Sequence, residues 1–230
     1  MKTLVSCIVP VFNGERYLTE ALNSIFDQDH QPLEVIVVDD GSTDGTADVV
    51  SQYKNKVTYL HQENAGPSVA RNTGIKASNG KFIGFLDADD LWVQGKLKRQ
   101  MACFDAEPEL GICTSHNQNF WMPELADEET KMRAEGAGDP QPGTFPSMLV
   151  RRSVFDDVGM LNPTLKHRDA MEWLSRAKDA GVPTKTLPEV FVRRRLHLTN
   201  ISREEEAADP DEVLRALKAR LDRQRGKSPG

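Results

Sequence analysis

Four times between Leu4 and Leu86 the chain repeats one pattern: a short, nearly unbroken apolar run, then a stretch with helical periodicity. The runs are Leu4–Val11, Leu33–Val38, Val57–Leu60 and Lys81–Leu86. Leu4–Val11 and Leu33–Val38, rich in β-branched residues, read as buried strands, and Val57–Leu60 and Lys81–Leu86 as a third and a fourth strand. Strands separated by helices of this length need right-handed crossovers, which predicts an α/β fold with a mostly parallel sheet. In such sheets ligands bind beyond the carboxyl ends of the strands. Three runs stop at polar or proline-marked turns: Pro10–Asn13, Asp39–Thr43 and Asp87–Asp90. The chemistry is therefore expected along that edge.

The helices between the runs follow from spacing and caps. Asn13 is expected to cap a helix over Glu15–Asp27, with Leu18, Leu22, Ile25 and Phe26 on one face. Ser42 or Thr43 is expected to cap a short helix through Val50. Gly66-Pro67-Ser68 opens a helix to about Ala77, with proline near its first position. A helix carrying Leu97, Met101 and Phe104 ends before Pro108. The second half is less regular. Cys113–Phe145 reads as a long functional or mobile loop with a charge run over Glu124–Glu135, and Asn117–Phe145 within it as a lid or acceptor-recognition segment. Arg152–Val158 and Asp169–Ala180 read as helices, the latter closed by Gly181, and Val190–Arg195 as a strand. Arg203–Gly230 is charge-dense and reads as a terminal helix and tail.

Composition removes several classes of function. A formal net charge of -6 disfavours a nucleic-acid partner. No apolar run approaches the roughly 20 residues of a membrane span, and Met1–Val11 does not read as a signal peptide. Cys7, Cys103 and Cys113 are odd in number and lack C-x-x-C spacing, against a disulfide framework or a thiolate zinc site. A reducing, cytoplasmic setting is expected.

Several residues have both a chemical and a structural reading. Asp87-Ala88-Asp89 follows a buried strand, so its carboxylates suit one Mg²⁺ or Mn²⁺ ion; equally they form a solvated turn, with Asp90 capping the next helix. Asp39-Asp40 can accept from a nucleobase or ribose, or shape an Asx turn. Arg71 suits a phosphate, a base or a salt bridge. Asp169 suits a general base or a helix cap. Arg193-Arg194-Arg195-Leu196-His197 offers guanidiniums and an imidazole to a diphosphate–metal complex, or guards a strand edge. Trp92, Trp121 and Trp173 can stack on a sugar or fill the core.

Four segments in order carry a resemblance: Ile8-Val9-Pro10-Val11-Phe12-Asn13-Gly14-Glu15, Val37-Val38-Asp39-Asp40-Gly41-Ser42-Thr43-Asp44-Gly45-Thr46, Ala65-Gly66-Pro67-Ser68-Val69-Ala70-Arg71-Asn72-Thr73-Gly74, and Leu86-Asp87-Ala88-Asp89-Asp90-Leu91-Trp92. Over about residues 3–200 the chain resembles the family 2 glycosyltransferases of the GT-A fold. The resemblance implies a Rossmann-like sheet flanked by helices in one domain over 1–200. Residues 1–113 would bind the nucleotide-sugar, 114–200 would bind the acceptor, and 201–230 would lie outside. It also implies a nucleotide-diphosphate-sugar donor (a UDP-sugar foremost), Mn²⁺ or Mg²⁺, and inversion at the anomeric carbon. Pro10, Phe12, Asn13, Glu15 and Ala88 would line the nucleotide-sugar pocket, Asp40 would meet the base with Arg71 beside it, and Asp87 would approach ribose and metal. Asp89 would ligate the metal, His197 would lie near it, and Asp169 would be the base. The family's usual Glu-Asp pair stands here as Arg168-Asp169. The Gln-x-x-Arg-Trp pattern of processive membrane synthases is absent, which favours single-sugar transfer by a soluble or peripheral membrane-associated enzyme. Carbohydrate, lipid-linked and peptide acceptors all stay open. Two rivals stand beside this expectation. One is an inactive member that binds nucleotide or scaffolds, suggested by Arg168. The other is a receiver-like signalling domain, suggested by Asp39-Asp40 and Asp87.

Overall fold

The computed structural model describes residues 3–134, 140–165 and 169–200. The elements run β1 (Val5–Val11), α1 (Leu18–Phe26), β2 (Leu33–Asp39), α2 (Thr46–Ser51), β3 (Thr58–His61), α3 (Pro67–Ala77), β4 (Phe82–Phe85), β5 (Leu91–Trp92) and α4 (Lys96–Ala106). They continue with β6 (Ile112–Trp121), α5 (Ala126–Ala134), β7 (Gln141–Pro142), β8 (Leu149–Arg151), α6 (Ser153–Val158), α7 (Asp169–Asp179) and β9 (Thr184–Leu196). One sheet has the order β3-β2-β1-β4-β8-β6-β9-β5, with β7 on the side of β6. The β1–β2, β1–β4 and β2–β3 pairs are parallel, as the alternating pattern predicts. Beyond β4 the sheet becomes mixed: β8 runs antiparallel to both β4 and β6, while β6 and β9 run parallel. This inserted antiparallel strand sets the sheet apart from the wholly parallel sheet of a receiver domain, and that reading falls.

Two apolar layers cover the sheet because strand side chains alternate. Val5, Cys7, Val9 and Val11 face Leu18, Leu22 and Ile25 of α1 and Leu97 and Phe104 of α4. Ile8 faces the other way, with Ala70 and Ile75 of α3, Phe155 of α6 and Trp173 of α7. A Cβ at Gly74 would stand 2.4 Å from Ile8 Cγ2, so glycine lets α3 lie close against β1.

Several local expectations are corrected. Asn13 is not a helix cap. It sits at φ 52 with its Oδ1 accepting from Thr43 N at 2.8 Å, and α1 starts only at Leu18. Neither Ser42 nor Thr43 caps α2: Ser42 Oγ accepts from Asn13 N, and Asp44 Oδ1 accepts from Thr46 N. These side chains join the ends of β1 and β2 instead of closing helices. Asp90 caps nothing either. It is buried, accepts from Arg195 N at 2.9 Å, and α4 begins after Gly95. The expected loop over Cys113–Phe145 contains the ten-residue β6, then α5 and β7. Buried Ser115 and Asn117 interrupt the apolar pattern of β6, which hid the strand. Likewise β9 begins at Thr184, six residues before the expected start at Val190, and irregular register with β6 obscured its period. The Arg203–Gly230 helix and Arg168 lie outside the described residues. Among those described, no helix is long and apolar enough to cross a membrane.

One charge lies inside the first layer. Lys96 is fully buried, its ammonium 2.9 Å from Gln100 Oε1 and 4.2 Å from the centre of the Trp92 ring. Burial pulls its pKa from 10.5 down to about 7, with Cys7 and Cys113 opposing. Between these values the unfolded chain binds a proton that the folded chain has given up. Stability therefore rises with pH across this window and falls as pH drops toward 7. Denaturant melts should show wild type gaining on Lys96→Met from pH 7 to 10, by at most about 1.4 kcal/mol per pH unit. A difference independent of pH would show that Lys96 keeps its proton in the fold.

Candidate active site

The carboxyl ends of β1, β2 and β4 form one polar edge. At its first part, two loops are zipped together by side-chain-to-backbone bonds. Gly14 N donates to Thr46 Oγ1 at 2.9 Å, Glu15 N to Asp44 Oδ2 at 3.0 Å, and Gly45 N to Glu15 Oε2 at 3.0 Å. Asn13 and Glu15 are thus structural members of this edge. Pro10 lies in the buried β1, while Phe12 stays 48% exposed at the rim and leaves an aromatic face open. Ala88 packs beside Gly14 against the first apolar layer.

The adjacent aspartates of β2 do different work. Asp39 makes the expected turn, accepting from Ser42 N at 2.8 Å, and also takes the Tyr59 hydroxyl at 2.6 Å. Asp40 is buried and accepts from Gln62 Nε2, Ala65 N and Gly66 N at 2.7, 3.0 and 2.8 Å. It therefore shapes the loop that delivers α3.

From α3, Arg71 reaches two carboxylates. Its Nη2 is 2.7 Å from Asp87 Oδ1, and its Nη1 is 2.7 Å from Asp169 Oδ2. The guanidinium also lies 5.2 Å from the Phe145 ring centre. Its hydrogen bonds go to these acids rather than to Asp40. Burial alone would lower the Arg71 pKa, but Asp169 and Asp87 more than reverse that, so it stays charged. Asp169 starts α7 and is 11% exposed at the side chain. Its Oδ1 accepts from the adjacent Ala170 N at 2.8 Å.

The turn after β4 faces two ways. Asp87 points to Arg71, while Asp89 Oδ2 meets His197 Nε2 and Asn200 Nδ2, each at 3.0 Å. Arg195 stitches β9 to this turn: its Nε donates to Asp89 O at 2.8 Å and its Nη2 to Glu20 at 2.9 Å. The Tyr17 ring packs 4.7 Å from the His197 ring. Burial raises the Asp87 carboxyl; Arg71 opposes this and Asp89 adds to it. Asp90 is pushed well up, first by burial and then by Asp89 and Asp87. The three tryptophans are core residues: Trp173 stacks on Phe155, Trp92 donates to Pro146 O, and Trp121 is buried. None offers an open face to a sugar.

Carboxylate oxygens beside an imidazole suit Mg²⁺ or Mn²⁺. Among the described residues no three His, Cys, Asp or Glu side chains form a complete metal cage. Asp89 and His197 are the two such side chains in contact there, while Asp87 turns from them to Arg71. Sequence reasoning missed Ser68, Tyr17, Glu20 and Asn200. Ser68 lay inside a quoted motif, and Asn200 three residues past His197, but only the fold brings them to Asp169 and Asp89.

A teichuronic acid biosynthesis glycosyltransferase named TuaG, itself described as putative, from Bacillus subtilis is 43% identical over 105 residues, 44% of this chain and 41% of that protein. An uncharacterized glycosyltransferase of Rickettsia typhi is 41% identical over 214 residues, covering 84% of this chain and 64% of its own length. The chain spans only 17 to 41% of three strong curated matches. Among solved structures, S. aureus TarS 1–349 in complex with UDP-GlcNAc superposes with a TM-score of 0.76 at 22% identity, over 97% of this chain and 66% of that one. Mannosyltransferase PcManGT from Pyrobaculum calidifontis, in complex with GDP-Man and Mn²⁺, gives 0.70 at 22% identity, over 97% and 69%. These likenesses show the GT-A fold. Residues 6–159 match the model of glycosyl transferase family 2, and the chain belongs to that family.

Proposed function

We propose that the protein is an inverting glycosyltransferase that moves one sugar from a nucleotide-diphosphate-sugar to an acceptor hydroxyl, with Asp169 as general base. The observation that carries this reading is the Arg71 bridge, which puts Asp169 and the Asp87 end of the Asp-Ala-Asp turn on one guanidinium. This contact supports the reading because it holds Asp169 and Asp87 close to one another at one edge. UDP-sugars are the foremost donors, with GDP-sugars second, since fold neighbours were solved with each type. Pro10, Phe12, Asn13, Glu15, Asp40 and Ala88 border the nucleotide-sugar pocket. Asp89, with Asp87 and His197, would hold Mn²⁺ or Mg²⁺. Such an ion would supply Lewis-acid stabilisation of the departing diphosphate.

The protein's own groups do the rest. An acceptor hydroxyl is a weak nucleophile at neutral pH, and Asp169 takes its proton as the oxygen attacks the anomeric carbon opposite the leaving group. General-base assistance is worth roughly 10²–10⁴-fold, and alignment of donor and acceptor adds several kcal/mol. The acceptor is a carbohydrate, a lipid-linked sugar or a modified peptide, and the setting is the cytoplasm or the inner face of a membrane.

Calorimetry with a panel of UDP- and GDP-sugars, with and without Mn²⁺, tests the donor site. Wild type should bind one donor class with metal, and Asp89→Asn should weaken that binding about tenfold or more. Metal-independent binding equal in both proteins would remove Asp89 from the site. Asp169→Asn should bind the same donor normally while transfer falls about a hundredfold or more. Unchanged turnover in that variant would end its role as base.

A further inference from the structure

The two oxygens of Asp169 are treated differently. Oδ2 takes the Ser68 hydroxyl at 3.0 Å and Arg71 Nη1 at 2.7 Å. Among the described residues, Oδ1 meets only the Ala170 N–H. Ser68 and Arg71 are three residues apart in α3, so they project from one helix face. That helix is fixed in turn, since Asp40 orders the 62–66 loop before it and Gly74 seats it against β1. The Ser68 hydroxyl is buried, and its single proton is shared between Asp169 Oδ2 and Leu165 O, 2.9 Å away just before α7. Arg71 is buried too, and among the described residues its Nε has no hydrogen-bond partner. Its two terminal nitrogens therefore fix its position.

We propose that Ser68 and Arg71 are positioning residues for the base. Together they lock Oδ2 of Asp169, and the second arm of Arg71 sets that carboxylate against Asp87, leaving Oδ1 to take the acceptor's proton. This rests on the reading of Asp169 as the base. A guanidinium fits the role because its fork reaches two carboxylates at fixed geometry, whereas an ammonium is a point donor on a flexible stem. A base displaced by about 1 Å loses on the order of a hundredfold in rate without any change in donor binding.

The test uses the full chain. Turnover is read as UDP or GDP release from a panel of UDP- and GDP-sugars with Mn²⁺, and donor affinity by calorimetry. Ser68→Ala should lower kcat about tenfold and Arg71→Lys about a hundredfold, with donor Kd within about twofold. In an Asp169→Asn background, Ser68→Ala should change kcat less than about twofold, because the carboxylate it positions is gone. An equal loss in both backgrounds would make Ser68 merely structural and overturn the proposal. Lost donor affinity with retained kcat in Arg71→Lys would make Arg71 a nucleotide contact and overturn it as well. If Arg71→Lys does not fold, the Ser68 cycle alone decides. Normal turnover in Asp169→Asn would instead bring down the base assignment, and the clamp with it, which separates the two failures.

Discussion

A single guanidinium, that of Arg71, lies between carboxylates 16 and 98 residues away in sequence. Its side chain is 9% exposed, Asp169's 11% and Asp87's 36%. Taking these charges out of water costs several kcal/mol per ion before their attraction offsets it. Such a set contributes little net stability when complete, but loses about 3–5 kcal/mol when one member is removed. Its value is geometric. It ties the start of α7 to the turn after β4 through α3, so three elements from different parts of the chain share one reference point. The antiparallel β8 matters for the same reason: it joins β4 to β6 in the sheet and lets the second half of the chain return to the edge where β4 ends.

The rest of the edge is built the same way, by polar side chains tied to backbone. Asn13, Ser42, Asp44, Thr46 and Glu15 join the loop after β1 to the loop after β2, and Asp40 holds the loop before α3. Arg195 and Asn200 do this for the turn holding Asp89. Loops leave backbone donors without ladder partners, and buried ones must be satisfied. Meeting that need with side chains from the neighbouring loop makes the edge rigid as well as satisfied. A preorganised set of donors and acceptors is what a charged ligand requires.

This construction explains what was legible in the sequence. The apolar runs gave β1, β2 and β4 almost to the residue, because parallel strands buried on both faces advertise themselves, and they also marked the largely exposed edge strand β3. Pro67 and Gly181 marked helix ends correctly, since backbone geometry at those points is local. The caps at Asn13, Ser42, Thr43 and Asp90 were misassigned because each side chain has a distant partner, and a short polar residue after a strand looks the same in either role. In β6, buried Ser115 and Asn117 broke the period on which strand detection rests. Asp169, Asp87 and Arg71 stood out as separate candidates; that they form one unit needed the fold, since nothing local couples positions 98 residues apart.

The electrostatics of the turn set its acids against their burial. Asp87 and Asp90 both have raised carboxyl pKa values, burial being the main cause and neighbouring aspartates the next. An acid with a raised folded pKa holds its proton more tightly folded than unfolded. Its contribution to stability is present at low pH and is lost as pH rises past the unfolded value toward the folded one. Near neutrality burial disfavours their ionised forms, which the Arg71 pair offsets at Asp87. Asp90 has a structural use, since it accepts the Arg195 N–H. Asp87 gains only its share of Arg71, and Asp169 already gives that guanidinium a partner. Asp87 thus sits beside Asp89 at the carboxyl end of β4, sharing its guanidinium with a carboxylate from the second half of the chain.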